Sequence, residues 1–134
     1  MMKSKCLIAS AMLCLSTAPG FALNLRCELI SDPVEAERME SVNRFVLDEV
    51  ANEVHMYSRY MPSEPEWSFR SAKGDIFDPK GDSFLVRKDV TGIYGSGVRA
   101  GFPHAFYYNA DTENLTWTYI WKDTVTRMQW FCRS

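Results

Sequence analysis

Two cysteines near opposite ends of this chain, Cys27 and Cys132, constrain its fold more than any other feature. Each lies in a run where apolar and polar residues alternate, residues 23–30 around Cys27 and residues 128–132 around Cys132. Alternation with a period of two is typical of a β-strand with one buried face, and it turns both cysteines inward. The first and last strands of a closed or nearly closed barrel are neighbours. The sequence therefore predicts a barrel whose terminal strands are joined by a disulfide.

Residues 1–22 have the three-part order of a secretory signal peptide. Two lysines form a basic start, residues 6–15 form an apolar core that is too short to span a bilayer, and small residues precede a cleavage site after Ala22. Cleavage after Ala18 also satisfies the small-residue rule, but we favour Ala22. The order predicts a periplasmic or secreted protein.

Cleavage removes Cys6 and Cys14 and leaves one cysteine pair in residues 23–134, which we take as a single domain. An even number of cysteines in an oxidising compartment favours a bridge. A disulfide that closes a loop of about 100 residues contributes about 4–5 kcal/mol in the chain-entropy treatment. Leu13, not a small residue, precedes Cys14, which favours a freely exported protein over a lipoprotein.

The charge balance and the composition exclude several classes of protein. The chain has 15 Lys and Arg against 17 Asp and Glu, so it is not a generally basic nucleic-acid binder. Apolar residues make up 46% and charged residues 24%, which is typical of a globular domain and not of a disordered segment. No apolar run approaches the roughly 20 residues of a membrane-spanning helix. We therefore expect no nucleic-acid partner and no membrane span.

The segment after the first strand permits two interpretations. Asp32 before a proline has the chemistry of a helix start. Apolar residues then recur at helical spacing as far as Val54, so one possibility is a long amphipathic helix. The alternative is a short helix over residues 33–39, followed by a hairpin of Val42–Asp48 and residues 53–57. We favour the hairpin because strand-forming residues cluster in its first half.

Further along, runs with strand alternation are separated by turn-forming residues. Four glycines fall within residues 92–101, for which we predict an irregular, glycine-rich connection. We predict strands at Trp67–Phe69, Ser83–Lys88, residues 106–108 and residues 115–121. Together these elements predict an all-β fold, a small barrel of about eight antiparallel strands with a short helix near the exported N-terminus.

The sequence offers little catalytic or metal-binding chemistry. Of the two histidines, we expect His55 in a strand and His104 in a loop beside a proline, and nothing brings either next to a nucleophile. Asp75, Asp78 and Asp82 lack the spacing of an EF-hand, so turn formation explains them better than calcium binding. The glycine-rich segment lacks the ending of a phosphate-binding loop. We predict no catalytic residue, no bound metal and no cofactor.

Aromatic residues carry the strongest indication of a binding surface. Trp117, Tyr119 and Trp130 crowd the last two predicted strands, where such residues either fill a barrel core or line a ligand cavity. We predict that Phe106, Tyr107 and Tyr108 form an exposed anchor cluster together with the cation of Arg99.

The Ser-Gly-Val-Arg sequence at residues 96–99 and the aromatic run at residues 106–108 resemble a pattern found in the inhibitors of C-type lysozyme. Members of that family are small exported β-barrels with a cysteine near each end and a Ser-Gly-x-x-Tyr loop. Here Ala100 replaces the tyrosine of that loop, and Asn109 stands where the family has a lysine. The resemblance implies that Ser96 and its neighbours would insert into the cleft of lysozyme.

These observations predict an exported, non-catalytic binding module whose partner is a small apolar ligand or an exported protein. A lysozyme inhibitor that acts by protein–protein blockade is the second hypothesis, and an enzyme of unrecognised type is the third. An internal cavity bordered by the barrel aromatics would favour the ligand hypothesis. The candidate binding residues are Ser96, Arg99, Tyr107, Trp117, Tyr119 and Trp130.

Overall fold

A computed structural model describes residues 22–32, 36, 39–71 and 82–134 of the chain. These residues form one antiparallel sheet that curls into a nearly closed barrel. The predicted all-β barrel is therefore confirmed, with nine strands in place of about eight. The predicted signal peptide lies outside the described residues except at its last position. The strands are β1 (Leu23–Leu29), β2 (Val42–Asp48), β3 (Glu53–Ser58), β4 (Trp67–Phe69), β5 (Ser83–Lys88), β6 (Gly92–Arg99), β7 (Phe102–Asn109), β8 (Asn114–Trp121) and β9 (Thr124–Arg133).

The strand order places both ends of the described chain in the middle of the sheet. The order is β4-β3-β2-β1-β9-β8-β7-β6-β5, so β1 pairs with β9 while β4 and β5 are the two edges. In the β1–β9 ladder Cys27 lies directly opposite Cys132, and the two form a disulfide with their Cα atoms 4.1 Å apart. The predicted bridge is confirmed, and it is typical of proteins in oxidising, exported environments.

Strands β2 and β3 confirm the predicted hairpin, and the alternative of a long helix is wrong. Val42, Phe45 and Leu47 of β2 are buried in the core. The β2–β3 register shifts between Val42 and Arg44, which is the mark of a β-bulge. The extra residue explains why side chains three positions apart both face inward, a spacing that helical periodicity also fits.

Little of the predicted short helix belongs to the described residues. Within residues 33–39 only Ala36 and Met39 are described, and the rest of that prediction lies outside the described part. The Ala36 N–H donates to the Asp32 carbonyl at 3.1 Å, which is the spacing of one α-helical turn. No helix within the described ranges is long and apolar enough to cross a membrane.

The glycine-rich segment is strand β6, so the prediction of an irregular connection is wrong. The reason lies on the inner face of the strand, where backbone carbonyl oxygens of β5 and aromatic rings come too close for any side chain. A Cβ added to Gly95 would lie 2.7 Å from Phe106 Cε1, and one added to Gly97 would lie 2.6 Å from Phe84 Cδ1. Glycine in a strand marks such a close approach, and here it makes room for the rings.

Trp117 lies at the centre of the core. Its ring stacks on Phe106, with centroids 5.1 Å apart and planes 6° apart, and its centroid lies 4.7 Å from that of Phe69. Phe45 connects this group to Trp130, whose ring centroid is 5.0 Å away. Each aromatic pair of this kind stabilises a fold by about 0.5–1.5 kcal/mol beyond the burial of its area. Aromatic side chains from both halves of the sheet therefore fill the barrel interior.

Side chains bridge the seam between the edge strands β4 and β5. The Asn52 Oδ1 atom accepts a hydrogen bond from the Val86 backbone N–H at 2.9 Å. The Ser71 hydroxyl accepts from the Phe84 N–H at 3.1 Å and donates to the Phe84 carbonyl at 3.3 Å. These bonds satisfy backbone groups of β5 that a further strand would otherwise pair with. Side-chain hydrogen bonds thus close the barrel between the two edge strands, where the backbone ladder ends.

The seam bond of Asn52 gives a prediction about stability. Asn52 has a φ of 57°, so Asn52→Gly keeps the backbone unstrained while it removes the acceptor. Because Val86 is fully buried, its N–H loses its partner, and we expect the free energy of unfolding to fall by about 1–3 kcal/mol. Urea denaturation measures this loss.

Lys122→Gly is the matched control, because Lys122 is exposed, has a φ of 58° and makes no seam bond among the described residues. Its stability should change by less than about 0.5 kcal/mol. Equal losses in the two variants would contradict the bridging role of Asn52.

Candidate functional site

One end of the barrel holds a cavity of about 180 Å³. Its walls are the last inward-facing side chains of several strands, so the cavity begins where the aromatic core stops. Alternation places these residues, because every second residue of a strand points inward. The walls include Trp67 of β4, Arg99 of β6, Phe102 and His104 of β7, and Tyr119 and Trp121 of β8.

A tight hairpin turn holds two of these walls in place. Ala100 and Gly101 connect β6 to β7 with φ values of 53° and 86°, and Arg99 pairs directly with Phe102. Two positive φ values in a two-residue loop define a type I′ turn, whose twist matches that of the flanking strands. The Ala100 N–H donates to Asp82 Oδ1 at 2.8 Å. The turn therefore fixes where the side chains of Arg99 and Phe102 enter the cavity.

His104 is a buried and neutral member of the wall. Its Nδ1 atom accepts a hydrogen bond from the indole Nε1–H of Trp117 at 3.0 Å, and its ring stacks on Tyr119 with centroids 5.4 Å apart. Burial, and secondarily the positive charge of Arg99, lower the pKa of His104 from 6.5 to about 4. The imidazole is therefore uncharged at neutral pH, with its proton on Nε2 because Nδ1 is an acceptor.

Arg99 is held at the mouth by two kinds of contact. Its Nε–H donates to the Ser68 carbonyl at 3.0 Å. Its guanidinium carbon lies 5.0 Å from the ring centroid of Trp67 and 5.7 Å from that of Phe69. The indole Nε1 of Trp67 is buried and has no hydrogen-bond partner among the described residues. The wall thus combines a fixed cation with a donor that lacks an acceptor.

The structure separates the six residues predicted as candidates into three places. Arg99 and Tyr119 meet at the cavity. Trp117 and Trp130 are fully buried in the core and do not line the cavity. The Trp130 indole instead donates to the Val42 carbonyl at 3.1 Å.

The remaining two candidates lie on the outer face of the barrel. Ser96 is exposed in the middle of β6, between Leu85 and Ala105 on the neighbouring strands, and is not in a loop. The Tyr107 hydroxyl lies 2.6 Å from Thr91 Oγ1 on the same outer face. Neither residue reaches the cavity. Phe106 and Tyr108 are buried in the core, so the prediction of one exposed cluster with Arg99 is wrong.

The expectation that His104 lies in a loop is wrong, and His104 was not among the predicted binding residues although it lines the cavity. Strand β7 begins at Phe102, and Pro103 points outward near the start of the strand, before pairing with β8 begins at His104. A proline is tolerated there because its missing N–H interrupts no ladder bond to β8. Trp67 and Trp121 belonged to predicted strands, but the alternation of apolar residues in a strand does not show where the barrel interior is left unfilled.

His55 lies close to two groups that could take part in acid–base chemistry. Its Nδ1 is 2.8 Å from Ser68 Oγ, and its Nε2 is 3.0 Å from Glu53 Oε1. The expectation that nothing brings His55 next to a nucleophile is therefore wrong. Acid, imidazole and hydroxyl are connected as in a hydrolase triad, but the ring nitrogens are exchanged, because in the triad the hydroxyl bonds Nε2 and the acid bonds Nδ1. All three residues lie on the outer face of β3 and β4, however, and none lines the end cavity. The contact links the short edge strand β4 to β3.

The aspartates weighed for calcium binding do not gather within the described part of the chain. Asp82 accepts the hydrogen bond from Ala100 already noted, and Asp75 and Asp78 lie outside the described residues. No group of three or more His, Cys, Asp or Glu side chains that could hold a metal occurs in the described ranges.

The shifted pKa of His104 makes stability depend on pH in a defined direction. Between pH 6.5 and about 4 the unfolded chain binds a proton that the folded protein excludes. The stability that neutral His104 contributes is complete above pH 6.5 and is lost as the pH falls toward 4. Acidification therefore lowers the free energy of unfolding, by roughly 3 kcal/mol for the full shift. Urea denaturation at several pH values between 4 and 7 measures this loss.

His104→Gln separates this effect from the titration of carboxylates, because glutamine can still accept from Trp117 but does not titrate. We expect the variant to lose less stability than the wild type over the same pH range. Parallel pH profiles for the two proteins would show that His104 is not the group responsible.

Comparison with known proteins assigns no relative. No protein-family model, no curated protein and no solved structure matches this chain. The resemblance to lysozyme inhibitors stays a prediction from short sequence motifs. The end cavity and its walls are therefore the basis on which a function can be argued.

Proposed function

We propose that this chain is a non-catalytic binding domain that receives a small, largely apolar ligand in the end cavity. The observation that carries the proposal is a cavity of about 180 Å³ with aromatic walls and a few polar groups that converge on it. Ligand sites in proteins have this composition. A cavity of about 150 Å³ lined by apolar side chains is large enough to bind benzene, so the occupant is the size of one ring.

The chemistry of the wall supports binding more than catalysis. His104 uses its Nδ1 lone pair on Trp117, so that atom is not available to take a proton from a substrate. Arg99 is held as a fixed donor by its bond to the Ser68 carbonyl. Groups of this kind orient a ligand but do not activate a nucleophile.

The rigidity of the barrel supports the same proposal. The cavity floor borders the packed aromatic core, and its mouth is set by a two-residue turn. A pre-formed site loses little conformational entropy on binding. The predicted leader and the disulfide are consistent with a domain that carries out this binding after export.

Filling the cavity tests the proposal. Tyr119→Trp adds a larger ring to the wall, and we expect it to weaken the binding of benzamide, a neutral ring-sized probe, by at least about tenfold, because a steric clash of this kind costs about 1–3 kcal/mol. Titration followed by two-dimensional NMR measures the affinity, with shifts expected at residues 99–104 and 119–121.

Tyr107→Trp is the matched control, because it makes the same change on the outer face. It should leave the affinity within about twofold of the wild type. Equal weakening by both substitutions would contradict the proposal, and so would the absence of binding by both benzamide and benzoate, its charged counterpart.

A second candidate function, blockade of lysozyme, has one observation in its favour. The exposed Ser96 lies in an outer groove of about 380 Å³ that also includes Val98, Pro103 and Ile120. This surface is apolar enough for a protein contact. Ser96 lies within a strand, however, and a flat ladder does not offer the protruding loop that insertion into an enzyme cleft requires. The geometry therefore favours the ligand proposal.

Lysis of bacterial cell walls by a C-type lysozyme tests this second candidate. Micromolar protein should slow the lysis, and Ser96→Arg should abolish the effect because a large charged side chain would cover the groove. Asn24→Arg, at an exposed position of β1, is the control and should still inhibit. Unchanged lysis in the presence of the wild type would exclude the function.

A further inference from the structure

We propose that the ligand of the end cavity is a small monocarboxylate, whose apolar body enters the cavity and whose carboxylate pairs with the guanidinium of Arg99. The inference rests on the proposed function, since it names the ligand class for the same cavity. Three features of the wall support it: a cation with unused donors, a buried indole N–H without an acceptor, and walls that lack a competing acid.

Arg99 presents its two Nη groups in a fixed orientation. The Nε–H bond to the Ser68 carbonyl and the stacking on Trp67 set the plane of the guanidinium. Within the described ranges the Nη groups have no hydrogen-bond acceptor and the side chain has no ion-pair partner. Two parallel N–H groups match the two oxygens of a carboxylate, which is the geometry that arginine binds best.

The half-buried position of Arg99 makes an anion the favoured occupant. A cation that is partly removed from water, and stacked on rings, loses hydration that an anionic ligand can replace. A neutral ligand of the same shape would fill the cavity but leave that charge uncompensated. The difference in binding affinity between an anionic ligand and a neutral ligand of the same shape is therefore a direct measure of the charge pairing.

Trp67 supplies the second feature. Its indole Nε1 is a buried donor without a partner in the part of the chain that the structure describes, and Arg99 stacks on the same ring. Buried donors nearly always have an acceptor in folded proteins. A carboxylate on Arg99 would lie against the same ring, so we expect this indole to report the bound ligand.

The charge of the cavity limits the ligand to one negative charge. No acidic residue is among the described residues of the wall. The nearby Asp82 carboxylate accepts from the Ala100 N–H and forms no ion pair with Arg99 in the described ranges. His104 is neutral because burial and Arg99 hold its pKa near 4. The wall therefore carries one positive charge, which a monocarboxylate neutralises and a dicarboxylate would exceed.

The decisive experiment compares benzoate with benzamide, which has nearly the same shape but no charge. We expect benzoate to bind the wild-type protein at least about tenfold more tightly in calorimetric titrations at pH 7, because charge-assisted hydrogen bonds are worth roughly twice as much as neutral ones. In NMR spectra of the four tryptophan indole N–H groups, the Trp67 signal should shift with benzoate. The Trp130 signal should stay, since its N–H already donates to Val42.

A variant pair separates Arg99 from general surface charge. Arg99→Gln should weaken benzoate binding by at least about tenfold and benzamide binding by clearly less, because benzamide loses a neutral hydrogen bond and no charge pairing. Arg44→Gln is the matched control, because Arg44 also stacks on an aromatic ring, Tyr57 at 3.7 Å, and donates to a carbonyl, that of Pro62, but does not line the cavity. It should leave the affinities for both probes unchanged. Thermal unfolding of each variant confirms that it is folded.

The outcomes distinguish this inference from the function on which it rests. If benzamide binds the wild type as tightly as benzoate does, the cavity binds ligands but the carboxylate assignment is wrong. If neither probe binds at millimolar concentration, the proposed function fails as well. If benzoate binding is lost equally in the Arg44 variant, binding is surface charge attraction and the assignment is overturned. The wild-type comparison alone decides between the first two outcomes.

Discussion

The pairing of the first strand with the last is the constraint on which the rest of this barrel depends. Because Cys27 lies opposite Cys132 in that ladder, the ends of the described chain lie in the middle of the sheet, and its edges fall to β4 and β5 in the middle of the sequence. A slip of one residue would turn every inner side chain of β1 outward. The disulfide opposes such a slip and also reduces the entropy of the unfolded chain, so the register of both terminal strands is fixed covalently.

The seam and the cavity have the same origin, which is the short edge strand. Strand β4 has 3 residues, whereas β5 has 6, so β4 cannot cover the full length of the strand across the seam. Side-chain bonds from Asn52 and Ser71 satisfy part of β5. At the end of the seam Arg99 takes this role by binding the Ser68 carbonyl. One residue therefore helps to close the barrel and forms the polar wall of its cavity.

The sequence was sufficient to predict the disulfide and every strand except β6, because alternation records which face of a strand is buried. Alternation does not record depth: Trp117 and Tyr119 share a face of β8, yet the first is at the centre of the core and the second borders the cavity. The strand at Gly95 was missed because its inner face is filled by rings from neighbouring strands, so its own residues carry no hydrophobic signal. The meeting of Trp67 with Arg99 depends on closure of the barrel, which no local pattern encodes.

The hydrogen bond between Trp117 and His104 connects the core to the cavity. A fully buried indole of the core donates to the imidazole of the wall, so packing around Trp117 fixes both the orientation of His104 and the nitrogen that carries its proton. The stacking of His104 on Tyr119 extends this order to the mouth. The polar side of the cavity is held with the rigidity of the core, and the ordering of these side chains is accomplished in folding and not at the moment of binding. For a cavity of this size, where few contacts with a ligand are available, such preorganisation is what allows a single fixed guanidinium to discriminate between ligands of nearly the same shape.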